Sequence, residues 1–159
     1  MIPRTNLQRL LSMLIFAALA SSAIAVQLET ESPRDGPDLA ALQHQIETGD
    51  AAAAEKQLRA ANKANPENAD VLNLLGYANR KLERYAVSRD FYERALKIDP
   101  GHKGALEYKG ELELQTGNVG VARKLLARLR VECPEGCPEL DDLLQAFDAA
   151  GEISDGEDS

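Results

Sequence analysis

Cys133-Pro-Glu-Gly-Cys137-Pro138 holds both cysteines of the chain and is its sharpest local concentration of reactive groups. Pro134, Gly136 and Pro138 favour a turn that brings the two sulfurs together. In an oxidising compartment the default for such a pair is a disulfide, Cys133–Cys137. The alternative is thiol-redox or Cu(I) chemistry, because two thiolates suit a soft ion of low coordination number. The spacing is C-x3-C, not the C-x2-C of zinc and thioredoxin-type sites. The two histidines are 58 residues apart; His102 reads as a solvated turn residue and His44 is remote. No metal site and no cofactor are assigned.

Carboxylates are plentiful, but Glu107 and Glu111 fall one helical turn apart on what reads as an exposed face, a solvated pair. Asp141/Asp142 read similarly. Carboxylate catalysis needs shifted pKa values in a cleft, and nothing in the sequence indicates one. A phosphate loop, G-x-S-x-G, H-E-x-x-H and a Cys/His/Asn set are all absent from the sequence. The chain therefore reads as non-enzymatic, with no catalytic residue assigned.

The 159 residues are 44% hydrophobic and 28% charged, an ordinary globular composition of one domain. The formal net charge is −8. Both bases of the first 25 residues, Arg4 and Arg9, precede every acid, so the remainder carries 16 bases, 26 acids and a charge of −10. Such a surface repels nucleic-acid backbones and anionic lipid. Arg4 and Arg9 lead into the largely apolar run Leu10–Ala20, and Ala23 and Ala25 then form an A-x-A site. Basic, apolar, small is the order of a secretory signal peptide, residues 1–25, cleaved after Ala25. Eleven residues rise about 16 Å as a helix, roughly half a bilayer core, so stable membrane insertion is not expected. The expected location is periplasmic or secreted. Residues 26–37 read as a flexible leader and 151–159, with four acids and no base, as an acidic disordered tail.

What positions the remaining side chains is a repeat. Asn65-Pro66, Asp99-Pro100 and Cys133-Pro134 are spaced by 34 residues. The same step aligns Ala54, Ser88 and Ala122; Leu58, Tyr92 and Leu126; and Ala61, Ala95 and Leu129. A fixed period of this size means stacked units. Within 69–102 apolar residues recur at helical intervals in two stripes, broken at Glu83-Arg84 and stopped at Pro100. Gly49 and Gly117 stand where a helix end needs positive φ, with Asp50 and Asn118 after them as expected N-caps. Tyr85, Phe91 and Tyr92 fall on the second stripe and read as core.

Gly76 with Leu75, Tyr85, Tyr92, Ala95-Leu96 and Ile98-Asp99-Pro100 resembles the pattern of tetratricopeptide repeats (TPR). The resemblance implies an all-α fold: a right-handed α-solenoid of three helix-turn-helix units (about 35–68, 69–102, 103–136) and a C-terminal capping helix, 138–150. Together these form one domain, 38–150. The cap would bury Leu140, Leu143, Leu144 and Phe147.

The resemblance also implies a concave groove that binds a protein or peptide partner. Its expected residues are Gln43, Asn73, Tyr77, Arg80, Tyr108 and Glu111. Tyr77 reads equally well as a helix-packing residue. A carboxylate-clamp mode is not expected, because Leu39 and Gln43 stand where that clamp needs Lys and Asn. The functional expectation is a scaffold or assembly factor for an envelope complex, with self-association possible. Cys133-Pro-x-x-Cys137-Pro resembles the thiol pair of copper-insertion proteins for cytochrome oxidase, but no strand precedes it here.

Overall fold

The computed structural model describes residues 36–152. The expected signal peptide, nearly all of the leader and most of the acidic tail lie outside these residues. Among the described residues are seven helices and no strand: α1 (Leu39–Glu47), α2 (Ala51–Ala64), α3 (Ala69–Lys81), α4 (Tyr85–Ile98), α5 (Lys103–Gln115), α6 (Val119–Glu132) and α7 (Pro138–Ala149).

The first helix of each hairpin ends in one repeated device. Gly49, Glu83 and Gly117 adopt positive φ (101°, 58°, 77°) at 34-residue steps. Behind them the amides of Asp50, Arg84 and Asn118 reach back to the carbonyls of Gln45, Asn79 and Glu113 at 3.0, 2.9 and 2.7 Å. This is the left-handed C-terminal turn that closes orphan carbonyls. Glu83 adopts it without glycine's freedom, at a cost of about 1 kcal/mol.

The side-chain caps differ from the sequence expectation. Asp50 and Asn118 stand at the cap positions of α2 and α6 but make no cap bond there. Asp50 instead accepts from Gln45 Nε2 at 3.0 Å, and the Asn118 amide donates to Glu113 and Thr116. Side chains cap α1, α3 and α5 through Asp38, Asn68 and His102, at 3.0, 3.0 and 3.1 Å.

Each helix packs on its successor, and α1–α3, α3–α5 and α5–α7 also meet. The first helices therefore share one side, with α2, α4 and α6 behind them. Between the layers lie Leu58, Leu72, Leu75, Ala95, Leu106 and Leu129, all fully buried. Helices approach closely, α3 on α4 between the layers and α5 on α7 along the first side. A Cβ on Gly76 would sit 2.4 Å from the Tyr92 ring, and one on Gly110 would sit 2.7 Å from Leu143. Phe91 and Tyr92 are buried as expected, whereas Tyr85 is only half-buried and its hydroxyl accepts from Gln115 Nε2 at 3.0 Å.

Ionic contacts tie neighbouring hairpins, among them two made by the second helices. Glu55 of α2 accepts from Arg84 at 2.9 Å. Arg89 of α4 grips Glu113 of α5 with Nε and Nη2, at 2.7 and 3.0 Å. Burial would raise the Glu113 pKa, but the hydrogen bonds from Arg89 and Asn118 outweigh it and hold the carboxyl below its usual range. At the far end Leu143 and Phe147 bury α7 against the stack. Cys133 and Cys137 are joined sulfur to sulfur across the turn that launches α7, their Cα atoms 5.7 Å apart, with Gly136 at φ 86° between them.

Candidate functional site

The side shared by α1, α3 and α5 carries the six residues that the helical register points inward. Five of them form one connected group. The Tyr77 and Tyr108 rings stack at 4.5 Å with 12° between planes. The Arg80 guanidinium lies 5.5 Å from the Tyr77 ring centre and 5.7 Å from that of Tyr108, and pairs with the Glu111 carboxylate. Gln43 reaches across from α1 and donates to Tyr108 Oη at 3.2 Å and to Glu47 at 3.0 Å. Lys81 adds its ammonium 5.4 Å from the Tyr77 ring centre. A guanidinium held over two aromatic faces and bridged to a carboxylate is fixed in direction.

Asn73 stands outside this network. It is 6% exposed, and its Oδ1 has no hydrogen-bond partner. Its Nδ2 lies over the first turn of α5, 3.0 Å from where a Cβ on Gly104 would be. Arg80 Nε is likewise buried and unpaired. Tyr77, at 6% exposure, is a packing residue as much as a lining one. Burial raises both hydroxyls' pKa values, that of Tyr108 with help from Glu107.

Two residues differ from their sequence reading. His102 is not a solvated turn residue: its side chain is 12% exposed, Nδ1 accepts from the Ala105 amide, and Nε2 donates to Asp70 Oδ1 at 3.0 Å. Glu107 is not half of a solvated pair. It is 6% exposed and has no hydrogen-bond or ionic partner among the described residues. Burial pushes its carboxyl pKa up to about 8, and Glu111, Asp142 and Glu139 add to the rise while Arg80 opposes it. Glu107 sits at the inward position one repeat after Asn73, where the helical register places it with Tyr108 and Glu111; its burial is what differs.

The cysteine pair is separate from this side. Cys133 is buried and bonded to Cys137. Among the described residues no three His, Cys, Asp or Glu side chains converge as a metal site would require, and no helix is long and apolar enough to cross a membrane.

A family model described as tetratricopeptide repeat matches residues 39–103. No curated protein matches the chain. Among solved structures, a mutant O-GlcNAc transferase of Thermobaculum terrenum is similar at TM-score 0.59 and 22% identity, over 73% of this chain and 23% of that one. This chain thus spans under a quarter of that protein's length. The first TPR of Spaghetti (RPAP3), bound to the HSP90 peptide SRMEEVD, is similar at TM-score 0.59 and 16% identity, over 74% of this chain and 96% of that one. Residues 39–103 match tetratricopeptide repeats, and the described residues fold as an all-α solenoid of helical hairpins.

Proposed function

We propose that this protein is a non-enzymatic interaction module, an assembly factor or scaffold for an envelope complex, which takes a peptide or helix of its partner on the side lined by α1, α3 and α5. The observation that carries the reading is the Gln43–Tyr108–Tyr77–Arg80–Glu111 network, which spans three successive hairpins and leaves Asn73 Oδ1 and Arg80 Nε unpaired beside it. A solenoid fixes how a partner is met, not which pathway it serves. The extracytoplasmic location rests on residues 1–25, and on a Cys133–Cys137 bond that suits an oxidising compartment.

Site-specific photocrosslinking in the producing cell tests this reading. A crosslinking amino acid at 43, 73 or 111 should capture one partner, and the same group at Val87 or Val121, exposed on the helices behind, should not. Capture from 87 and 121 alone would move the interface to the opposite side. Cell fractionation of the same strain should recover a chain beginning at Val26 outside the cytoplasm.

A further inference from the structure

The inner side changes character along the stack. Positions one repeat apart run Leu39, Asn73, Glu107, Asp141, and, in the next register, Ala40, Leu74, Tyr108, Asp142. At these positions the first hairpin carries Leu39 and Ala40, with Gln43 and Glu47 one and two turns further along α1, the middle one is neutral, and the end formed by α5 and α7 is acidic. Glu107 lies where the acidic part begins. The residue is 6% exposed, its carboxyl lacks a hydrogen-bond donor among the described residues, and Glu111 of its own helix and Glu139 and Asp142 of α7 act on it. Arg80 of α3 is the cation among the groups acting on it, and that guanidinium is already committed to Glu111 and the two tyrosine rings. Asn73, over the first turn of the same helix, adds an unpaired buried carbonyl oxygen. A buried acceptor without a donor costs about 1–3 kcal/mol, which a ligand's donor would recover.

We propose that the α5–α7 end of the groove takes a Lys or Arg side chain of the partner segment, which donates to Glu107 and Asn73 while Glu139 and Asp142 attract it from the rim. This rests on the groove reading above and adds the partner's chemistry. A cation is preferred over a neutral donor because four carboxylates face one already paired guanidinium. A side-chain cation is preferred over a metal ion because no three ligands converge. Pairing favours the ionised form of Glu107, so docking near neutral pH releases its proton to solvent.

The probe is a random twelve-residue peptide display library selected on the purified chain. The expected pool is enriched at least threefold in Lys plus Arg over the input on the wild type. It returns to input composition on the Glu107→Gln/Asp142→Asn double variant. Should that variant not fold, Glu139→Lys on the half-buried rim serves instead and should also abolish the enrichment. A pool without cation enrichment, or one equally enriched on these variants, overturns the inference. If that pool is nevertheless lost on Tyr108→Leu, the groove reading survives. A library that yields nothing above bare support overturns both. For a selected peptide, calorimetry at pH 7 in buffers of low and high ionisation enthalpy should show roughly one proton released per peptide bound, absent in Glu107→Gln. Binding without that difference counts against Glu107 as the acceptor.

Discussion

Tyr77 and Tyr108 stack at 4.5 Å although they are 31 residues apart, not one repeat. The residue one repeat after Tyr77 is Glu111. The stack therefore runs diagonally between α3 and α5, and this diagonal leaves Glu111 free to take Arg80. One offset thus decides which side chains close the inner side on themselves and which, Asn73 and Glu107, stay unpaired.

If the stack holds α3 to α5, Tyr108→Leu should lower stability by about 1 kcal/mol beyond the apolar area it preserves. Tyr108→Phe keeps the stack and loses only the bond from Gln43, and should cost about half as much. Urea unfolding of both variants separates the contributions. Equal losses would mean that the ring contact contributes nothing.

Gly76 reverses the usual helical rule. Ala in place of Gly inside an open helix stabilises by about 1 kcal/mol. Here the new Cβ would meet the fully buried Tyr92 ring, which has no free space to move into. Gly76→Ala should instead destabilise by about 2 kcal/mol. A raised thermal midpoint would show that α3 and α4 pack less tightly than described.

The hairpins were legible because punctuation repeats: Pro66, Pro100 and Pro134 on one side, Gly49 and Gly117 on the other, all in one 34-residue register. The same register and helical spacing chose Gln43, Tyr77, Arg80, Tyr108 and Glu111, which the structure brings together. Spacing gives direction around a helix but not depth, and depth is where the reading stopped. Glu107 looks like surface until α7 is laid beside α5. His102 looks like a solvated loop until the first turn of α5 needs an acceptor and Asp70 offers another. Asp50 and Asn118 have the right chemistry for caps, but Gln45 and Glu113 compete for their side chains, and one sequence does not say which partner wins.

The Cys133–Cys137 link spans four residues, so its chain-entropy contribution is about 2 kcal/mol, and its larger effect is on how α7 leaves α6. Cys137→Ser, or reduction of the wild type, should lower stability by about that amount. Hydrogen exchange should rise first in α7, where Leu143 and Phe147 lose their fixed approach. Uniform exchange along all seven helices after reduction would show that the bond does not govern α7.

Glu107 and Glu113, six residues apart on α5, should bend the pH–stability profile in opposite directions. The Glu107 carboxyl is raised from 4.5 to about 8 in the fold, so the folded chain holds that proton more tightly. Its contribution is complete below pH 4.5 and is lost as pH rises towards 8. Glu113 is lowered, so its contribution is complete above pH 4.5 and is lost as acid protonates it in the folded state. Glu107→Gln should match the wild type at pH 4 and exceed it by on the order of 2 kcal/mol at pH 8.5. Glu113→Gln, which leaves Arg89 without its partner, should cost about 2 kcal/mol at pH 7 and much less at pH 3. Denaturant midpoints of the three chains at pH 3, 4, 7 and 8.5 decide it. A Glu107→Gln profile parallel to the wild type would mean that Glu107 finds a donor in solution and is not the open acceptor described here.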